Sequence, residues 1–376
     1  MPGLYLHIPF CKQACTYCDF HFSTSDKYRD DMVAALFAEM DLRQQELPPA
    51  PLQTLYFGGG TPSVFSDAQL IQIMEHARAV FGLESDAEIT LEANPDDLSE
   101  ARFKTLKAAG INRLSVGIQT FDEATLRLLN RAHSATQAHH CLHTIGQYFN
   151  NYSIDLMYGL PHLSMADWAK HIQQLIDAKT PHISCYALTV ESKTVLHHQV
   201  VQEQVLLPSD EVTQQQFLYL SDTLRNAGYE HYEVSNFALP GKFSKHNTAY
   251  WQSKPYLGIG PSAHSFDGQI RSWNVSNNAK YMNAIQQKQL PIERETLSLN
   301  DRYNEYIMTG LRTQWGVQFH HIQQQFGNEL ATYFEKAAYK KQALGHLEHH
   351  GDQWRIPHQA RFLSDGIAAD LFQVND

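Results

Sequence analysis

Apolar residues in the first half of the chain come in short β-rich runs, each followed by a turn signal and then by apolar positions at helical spacing. The runs are GLYLHI (3–8), TLYF (54–57), EITLEA (88–93), RLSVGI (113–118), YSIDLMYG (152–159) and HISCYAL (182–188). Amphipathic helices are predicted over Lys27–Glu46, Asp67–Phe81, Ser99–Ala109, Ala135–Tyr148 and Ala166–Ala178, the third stopped by Gly110. Repeated strand–helix units imply an α/β fold built on a parallel sheet or barrel. In such folds functional groups gather at the C-terminal ends of the strands, and here those ends carry cysteines, three consecutive glycines, Glu92, Gln119 and Asp155.

The pattern changes after Pro208, where a long helix runs to Gly228 and an irregular aromatic, Gly-rich stretch follows through about Trp273. From Ser298 onward helices are predicted over Asp301–Arg312, Phe319–Phe326 and Asn328–Gln342, then short strands near Gly345–Glu348 and Trp354–Pro357. The expected division is a barrel over 1–228, a crossover segment over 229–297 and a small winged-helix-like C-terminal unit over 298–376. The segment LPPAP at 47–51 is read as a stiff connection, not a boundary.

Composition narrows the class. The 376 residues fit ~2–3 domains, and 43% hydrophobic against 18% charged residues is enough for a sizeable core. A net charge of −11 argues against bulk nucleic acid as the main partner. No apolar run approaches the ~20 residues of a membrane helix, and MPGLYLHIPF lacks the basic start of a signal peptide. A cytoplasmic protein is expected, with any membrane contact peripheral.

Five cysteines, three of them between positions 11 and 18, do not form a disulfide framework. Cys11, Cys15 and Cys18 make C-x3-C-x2-C in the loop after the first strand, where thiolates can converge on one soft metal centre. Three ligands on an iron–sulfur cube leave one iron free to bind a small chelating molecule. A structural zinc site needs a fourth ligand, which His7 or His21 could supply. Cys141 and Cys185 stand alone and read as small buried apolar residues. The histidine pairs at 139–140, 197–198, 320–321 and 349–350 read as solvated.

The run YLHIPFCKQACTYCDF (5–20) resembles the cluster motif of radical S-adenosylmethionine (SAM) proteins and, within them, the coproporphyrinogen dehydrogenase-like group. The resemblance extends over most of the chain and implies a partial (β/α)6 TIM-like barrel, a [4Fe-4S] cluster on Cys11, Cys15 and Cys18, and SAM chelated to the open iron. Gly59, Gly60 and Thr61 lie in GGGTP, which on its own would be a tight turn but matches a motif of the group. Glu92 in LEANP, Gln119 in GIQ, Arg131 in NRAHS and Asp155 in DLMYGLP match its ligand-contacting positions, with Tyr5 near the sulfonium and Tyr17 near adenine. Chemically, a carboxylate can accept from amino or hydroxyl groups, an amide can do both, and Arg can fork to a carboxylate. YLGIGPSAHSF (256–266) resembles a glycine-containing loop of the group near the nucleotide.

The dehydrogenases of this group carry Cys-x-Cys at the end of the cluster motif and an extension before the first strand, whereas here Asp19-Phe20 follows Cys18 and the first strand starts at residue 3. Both departures resemble the HemW-type haem chaperones. His246-Asn247-Thr248-Ala249-Tyr250-Trp251 is similar to their H-N-x-x-Y-W haem motif. The resemblance implies His246 as axial ligand, with Asn247, Tyr250 and Trp251 beside it and the two rings offering flat apolar surface to the macrocycle. The alternative is that these aromatics anchor the crossover while His246 bonds locally. A carrier must release its cargo, so an exposed site of modest affinity is expected. The function implied is haem binding and transfer to apo-haemoproteins, among them membrane-associated respiratory enzymes, with homodimerisation left open. The rival function is oxygen-independent decarboxylation of coproporphyrinogen III.

Overall fold

The computed structural model describes residues 3–374. Strand β1 (Gly3–Ile8) leads through the cysteine loop to α1 (Arg29–Leu42), followed by β2 (Leu52–Gly59), α2 (Asp67–Phe81), β3 (Leu83–Ala93), α3 (Glu100–Ala109) and β4 (Arg113–Gln119). The alternation continues with α4 (Glu123–Leu128), α5 (Ala135–Ile145), β5 (Tyr152–Tyr158), α6 (Met165–Asp177) and β6 (His182–Ala187). Strands β1 to β6 are parallel and adjacent in chain order, which bears out the predicted (β/α)6 partial barrel. Local chemistry fixes the helix ends. Ser66 and Gln69 form a capping box on α2, Ser99 caps α3, and Gly110 closes α3 in the left-handed conformation.

Along each of these strands apolar residues face the helices and polar residues face the lumen. Leu4, Leu6, Leu55, Phe57, Ile89, Leu91, Leu114, Val116, Ile154, Leu156, Ile183 and Cys185 belong to one buried apolar cluster with the helices. Alternate positions bring Tyr5, Thr54, Tyr56, Glu88, Glu92, Arg113, Ser115, Ser153, Asp155, His182 and Ser184 to the opposite face. Hydrogen bonds join them between neighbouring strands on this face, as from His182 to Ser153 and from Ser115 to Asp155. The centre of the barrel is therefore polar. Cys141 and Cys185 are buried among apolar neighbours, and burial pushes the Cys141 thiol up to about 12, in keeping with an inert packing role.

The stretch read as irregular is largely regular. After α7 (Val195–Val201) and α8 (Asp210–Asn226), β7 (Glu230–Glu233) and β8 (Asn236–Ala238) extend the sheet beyond β6. Helix α9 (Lys245–Trp251) follows, and then β9 (Tyr256–Ile259), β10 (His264–Phe266) and β11 (Ile270–Asn274). With α10 (Asn278–Gln286) and β12 (Ile292–Thr296), these strands build out the other edge, β9 lying parallel to β1. They were missed because strands of three to five residues hold too little periodicity to read.

A second apolar cluster, including Tyr303, Ile307, Ile322, Phe334 and Trp354, lies in the C-terminal part. It is formed by α11 (Leu299–Leu311), β13 (Val317–Gln318), α12 (Phe319–Ala343), β14 (Glu348–His350), β15 (Gln353–Arg355) and α13 (Ser364–Ala369). Gly327, at φ +91°, breaks α12 where the sequence predicted two helices, and the small β13-β15-β14 sheet completes the winged-helix-like unit. The two predicted strands lie about the hairpin 348–355, and β13 was not foreseen.

Candidate functional site

The cysteine loop is tied to the barrel by its own backbone. The Cys11 N–H donates to Ser23 O (3.0 Å), Thr16 N–H to Leu129 O (3.1 Å) and Leu196 N–H to Thr16 O (2.8 Å), while Asn130 Nδ2 donates to Ala14 O (2.7 Å). Two side chains donate to sulfur: Thr61 Oγ1 to Cys11 (3.4 Å) and Arg131 Nη1 to Cys15 (3.3 Å). Burial raises the Cys11 thiol and pushes that of Cys18 up to about 11. His7 Nε2 is bonded to His21 O (3.0 Å) and His21 Nε2 to Asn278 Oδ1 (2.7 Å), so both histidines proposed as a fourth zinc ligand are engaged elsewhere. Among the described residues no group of three or more His, Cys, Asp or Glu is arranged to hold a single metal ion. Three thiols on one cavity wall, with donors aimed at two of them, fit a larger thiolate-bound cluster better than a single ion.

That cavity, about 480 Å³, opens at the C-terminal ends of the strands. It gathers Cys11, Cys15, Cys18, Tyr17, Gly59, Gly60, Thr61, Glu92, Gln119, Arg131 and Asp155, residues drawn from six separate stretches of sequence. Tyr5 is not among its walls. The Tyr5 hydroxyl is bonded to His7 Nδ1 (3.3 Å), and its ring lies deeper in the lumen against Tyr56. Asn94, Ser115, Gly117, Met157 and Tyr186 also line the cavity and were not anticipated, although each is in or next to a predicted strand.

The glycine triplet has a structural reason of its own. A Cβ on Gly60 would stand 2.7 Å from Phe10 O, and one on Gly59, at φ +108°, would stand 2.7 Å from the His7 ring. The missing side chains let the β2 turn nest against the β1 turn while both still border the cavity. Gln119 adopts φ +67° beside a register shift in β4, and Gly117 leaves room for its amide, which a Cβ there would meet at 2.8 Å. Strain of this kind in a non-glycine residue collects at ligand sites.

Arg131 is clamped from four sides. Nη2 donates to Asn94 Oδ1 (2.6 Å) and Gly117 O (2.8 Å), and Nη1 to Cys15 Sγ and to the Tyr17 hydroxyl (3.4 Å). Its Nε has no hydrogen-bond partner among the described residues. Asp155 is raised by burial, although Ser153 and Ser115 donate to it. Glu92 accepts from the Tyr56 hydroxyl (2.7 Å), and burial, reinforced by nearby Asp155, pushes its carboxyl up to about 7.

This raised value has a consequence for stability. The ordinary Glu value is ~4.3, so in the ligand-free protein the native state holds the Glu92 proton more tightly than the unfolded chain, and stability falls as pH climbs from about 4 to 7. Glu92→Gln removes that loss while keeping an acceptor for Tyr56. It is expected to be more stable than wild type at pH 8 by on the order of 2 kcal/mol, the difference vanishing near pH 4. Urea unfolding at the two pH values measures it, and equal stability at pH 8 would contradict it.

The HNTAYW segment forms α9 and lies at the opposite end of the lumen, where β2 and β3 begin. His246 is 2% exposed. Its Nδ1 is bonded to Thr54 Oγ1 (2.7 Å), its Nε2 to the Tyr250 hydroxyl (2.7 Å), and its backbone N–H donates to Glu88 (3.1 Å). Tyr250 packs edge-on against Tyr256, and Trp251 lies beneath the Arg312 guanidinium (5.4 Å). The Asn247 N–H is taken by the Ser244 cap. The expectation of an open imidazole beside two flat rings is not met here, because His246 and Tyr250 bond to each other on one face of the helix while Asn247 and Trp251 share another. Iron could reach a ring nitrogen of His246 only after the hydrogen bond on that nitrogen breaks.

Comparison with known proteins agrees with this geometry. Residues 5–175 match the radical SAM superfamily and residues 297–363 the HemN C-terminal domain. The chain is 36% identical to the heme chaperone HemW of Lactococcus lactis over 88% of its length and 86% of the relative. It is 32% identical to that of Bacillus subtilis over 98% of each. A solved coproporphyrinogen III oxidase (HemN) from Escherichia coli, 23% identical, superposes with a TM-score of 0.85 over 99% of this chain and 90% of its own, which fixes the fold.

Proposed function

The chain belongs to the HemW family of radical SAM proteins, and from that premise we propose that it binds haem and passes it to apo-haemoproteins while carrying a [4Fe-4S] cluster and SAM. In this reading Cys11, Cys15 and Cys18 hold the cluster. Thr61 and Arg131 stabilise sulfur charge, Glu92, Asp155 and Gln119 receive the amino and hydroxyl groups of SAM, and Tyr17 and the Gly59-Gly60 backbone border it. When bound, the cluster supplies an iron with an open coordination position for the amino-acid end of SAM. The observation that carries the cofactor half is the single cavity that unites three thiols with those polar groups.

Family membership carries the haem half, supported by Asp19-Phe20 directly after Cys18. Haem ligation by His246 then requires α9 to free one ring nitrogen, from Thr54 or from Tyr250, with Asn247, Tyr250 and Trp251 rearranging around the macrocycle. The division at 228 and 297, a cytoplasmic setting and membrane-associated respiratory enzymes as recipients belong to the same proposal. Among the described residues no helix is long and apolar enough to cross a membrane.

Anaerobic haem titration of the cluster-reconstituted protein and of His246→Ala, followed by transfer to an apo-haemoprotein, tests the proposal. Saturable binding and transfer that fall about tenfold or more in the variant are expected, as for a lost metal ligand. Unchanged binding in the variant would move the haem site away from α9. Multiple-turnover conversion of coproporphyrinogen III propionates to vinyl groups would replace the carrier reading with an enzymatic one.

A further inference from the structure

Three aromatic rings stack inside the lumen between α9 and the SAM cavity. Tyr56 lies 4.8 Å from His246 at 22° and 6.0 Å from Tyr5 at 24°, and Tyr5 is 6.5 Å from His246 at 25°, so the three rings form a triangle of near-parallel planes. Its hydroxyl reaches upward and donates to Glu92 at 2.7 Å. His246 is locked on both ring nitrogens, and one of its partners, Thr54, lies two residues before Tyr56 on the same face of β2.

Gly58, the next lumen-facing position of β2, completes the device. A Cβ there would stand 2.9 Å from the rings of both Tyr5 and Tyr56 and 3.2 Å from Glu92 Oε1. The first glycine of the triplet thus clears the path by which the Tyr56 ring reaches the carboxylate. A carboxylate offers about four acceptor sites. With Tyr56 and the Gly59 N–H occupying two, its orientation is set and the remainder is free for ligand donors.

We propose that Tyr56 is a positioning residue for Glu92, held in place by His246, so that the HNTAYW helix supports the SAM pocket from beneath. The inference rests on the SAM reading above and gives His246 a role independent of haem. A carboxylate fixed before the ligand arrives avoids the cost of ordering it during binding. Loss of one hydrogen bond to a charged acceptor corresponds to roughly tenfold in affinity.

The experiment is equilibrium binding of SAM to the cluster-reconstituted protein under anaerobic conditions, with iron content and thermal midpoint recorded for each variant. Tyr56→Phe keeps the ring and loses the donor, and is expected to weaken binding about tenfold. In a Glu92→Ala background, where Tyr56 has no carboxylate to orient, the same change should alter affinity by less than about twofold, the signature of two groups acting through one another. His246→Ala should weaken SAM binding in the wild type and add little once Tyr56→Phe is present. Equal affinity of Tyr56→Phe and wild type overturns the proposal, and so does an equal loss in both Glu92 backgrounds, which would mark a role in folding only. Absence of saturable binding in the wild type itself would instead remove the SAM reading, and the role of Tyr56 with it.

Discussion

Glu39→Ala is expected to destabilise the protein by about 3–5 kcal/mol, the range for breaking a buried ion pair from one side. Glu39 on α1 is fully buried, and it accepts from Arg43 Nη1 (3.0 Å), the Tyr281 hydroxyl (2.6 Å), the Gly260 N–H (2.8 Å) and Asn274 Nδ2 (2.7 Å). One carboxylate therefore satisfies donors from α1, α10, the loop after β9 and β11. Removing it leaves four donors short of an acceptor in a space that a methyl group cannot fill. Arg43, 1% exposed, keeps Glu46, Gly258 O and Ser265 but loses its buried counter-charge. Replacing both members, as Glu39→Leu with Arg43→Met, is expected to cost less than Glu39→Ala alone, because no charge is left behind. Chemical denaturation of the three variants measures this. A Glu39→Ala cost below about 1 kcal/mol would show that water reaches the network and that the edge built by β9–β12 is not held by it.

Legibility in the sequence followed the length of each signal. Strands β1 to β6 and their helices were readable because Leu4, Leu6 and Ile8, or Leu114, Val116 and Ile118, repeat at period two, and because Ser66, Ser99 and Gly110 mark helix ends chemically. The same period placed Tyr56 opposite Leu55 and Phe57, so its lumen-facing side was available to inspection. What it meets there was not, since Glu92 and His246 lie 36 and 190 residues further on. The cavity residues named from the sequence were legible because each stands in a short motif, most of them close to the end of a strand. Tyr5 faces the lumen as its alternation with Leu4 and Leu6 implies, but its bond to His7 in place of a position on the cavity wall depends on depth along the lumen, which period two does not carry.

The HNTAYW segment shows how a motif can mislead about geometry. Read as a string it offers a ligand and two platforms together. Read as a helix it separates them, since residues four apart share a face and residues one apart do not. Ser244, an N-cap residue two positions before His246, was the signal for a helix. Once α9 is helical, His246 and Tyr250 point the same way and satisfy each other, a neutral pair suited to a buried floor: burial lowers the imidazole to about 3. Any haem-bound state must therefore compensate for opening a packed and fully bonded end of the barrel, and that cost would keep haem affinity modest.

Cys15→Ala is expected to reduce iron retained after anaerobic reconstitution to less than about a tenth of wild type, and Arg131→Leu to weaken cluster retention about 10–100-fold, the range for groups that support metal ligands from behind. The argument for Arg131 is geometric. Its guanidinium reaches Cys15 Sγ, the Tyr17 hydroxyl, Asn94 Oδ1 and Gly117 O at once, so it fixes the cysteine loop to the ends of β3 and β4 while placing positive charge beside the Cys15 sulfur. Leucine would fill part of the volume and leave two buried oxygens without donors. Lysine would restore the charge but not the fork, because an ammonium cannot span partners that a planar guanidinium engages on both nitrogens. Arg131→Lys is therefore expected to behave nearer to leucine than to wild type. Chelator challenge of the reconstituted proteins, followed through iron and acid-labile sulfide, gives the comparison. If Arg131→Leu resists the chelator as wild type does, the guanidinium serves only the packing of the loop, and the sulfur contact at 3.3 Å has no bearing on the cluster.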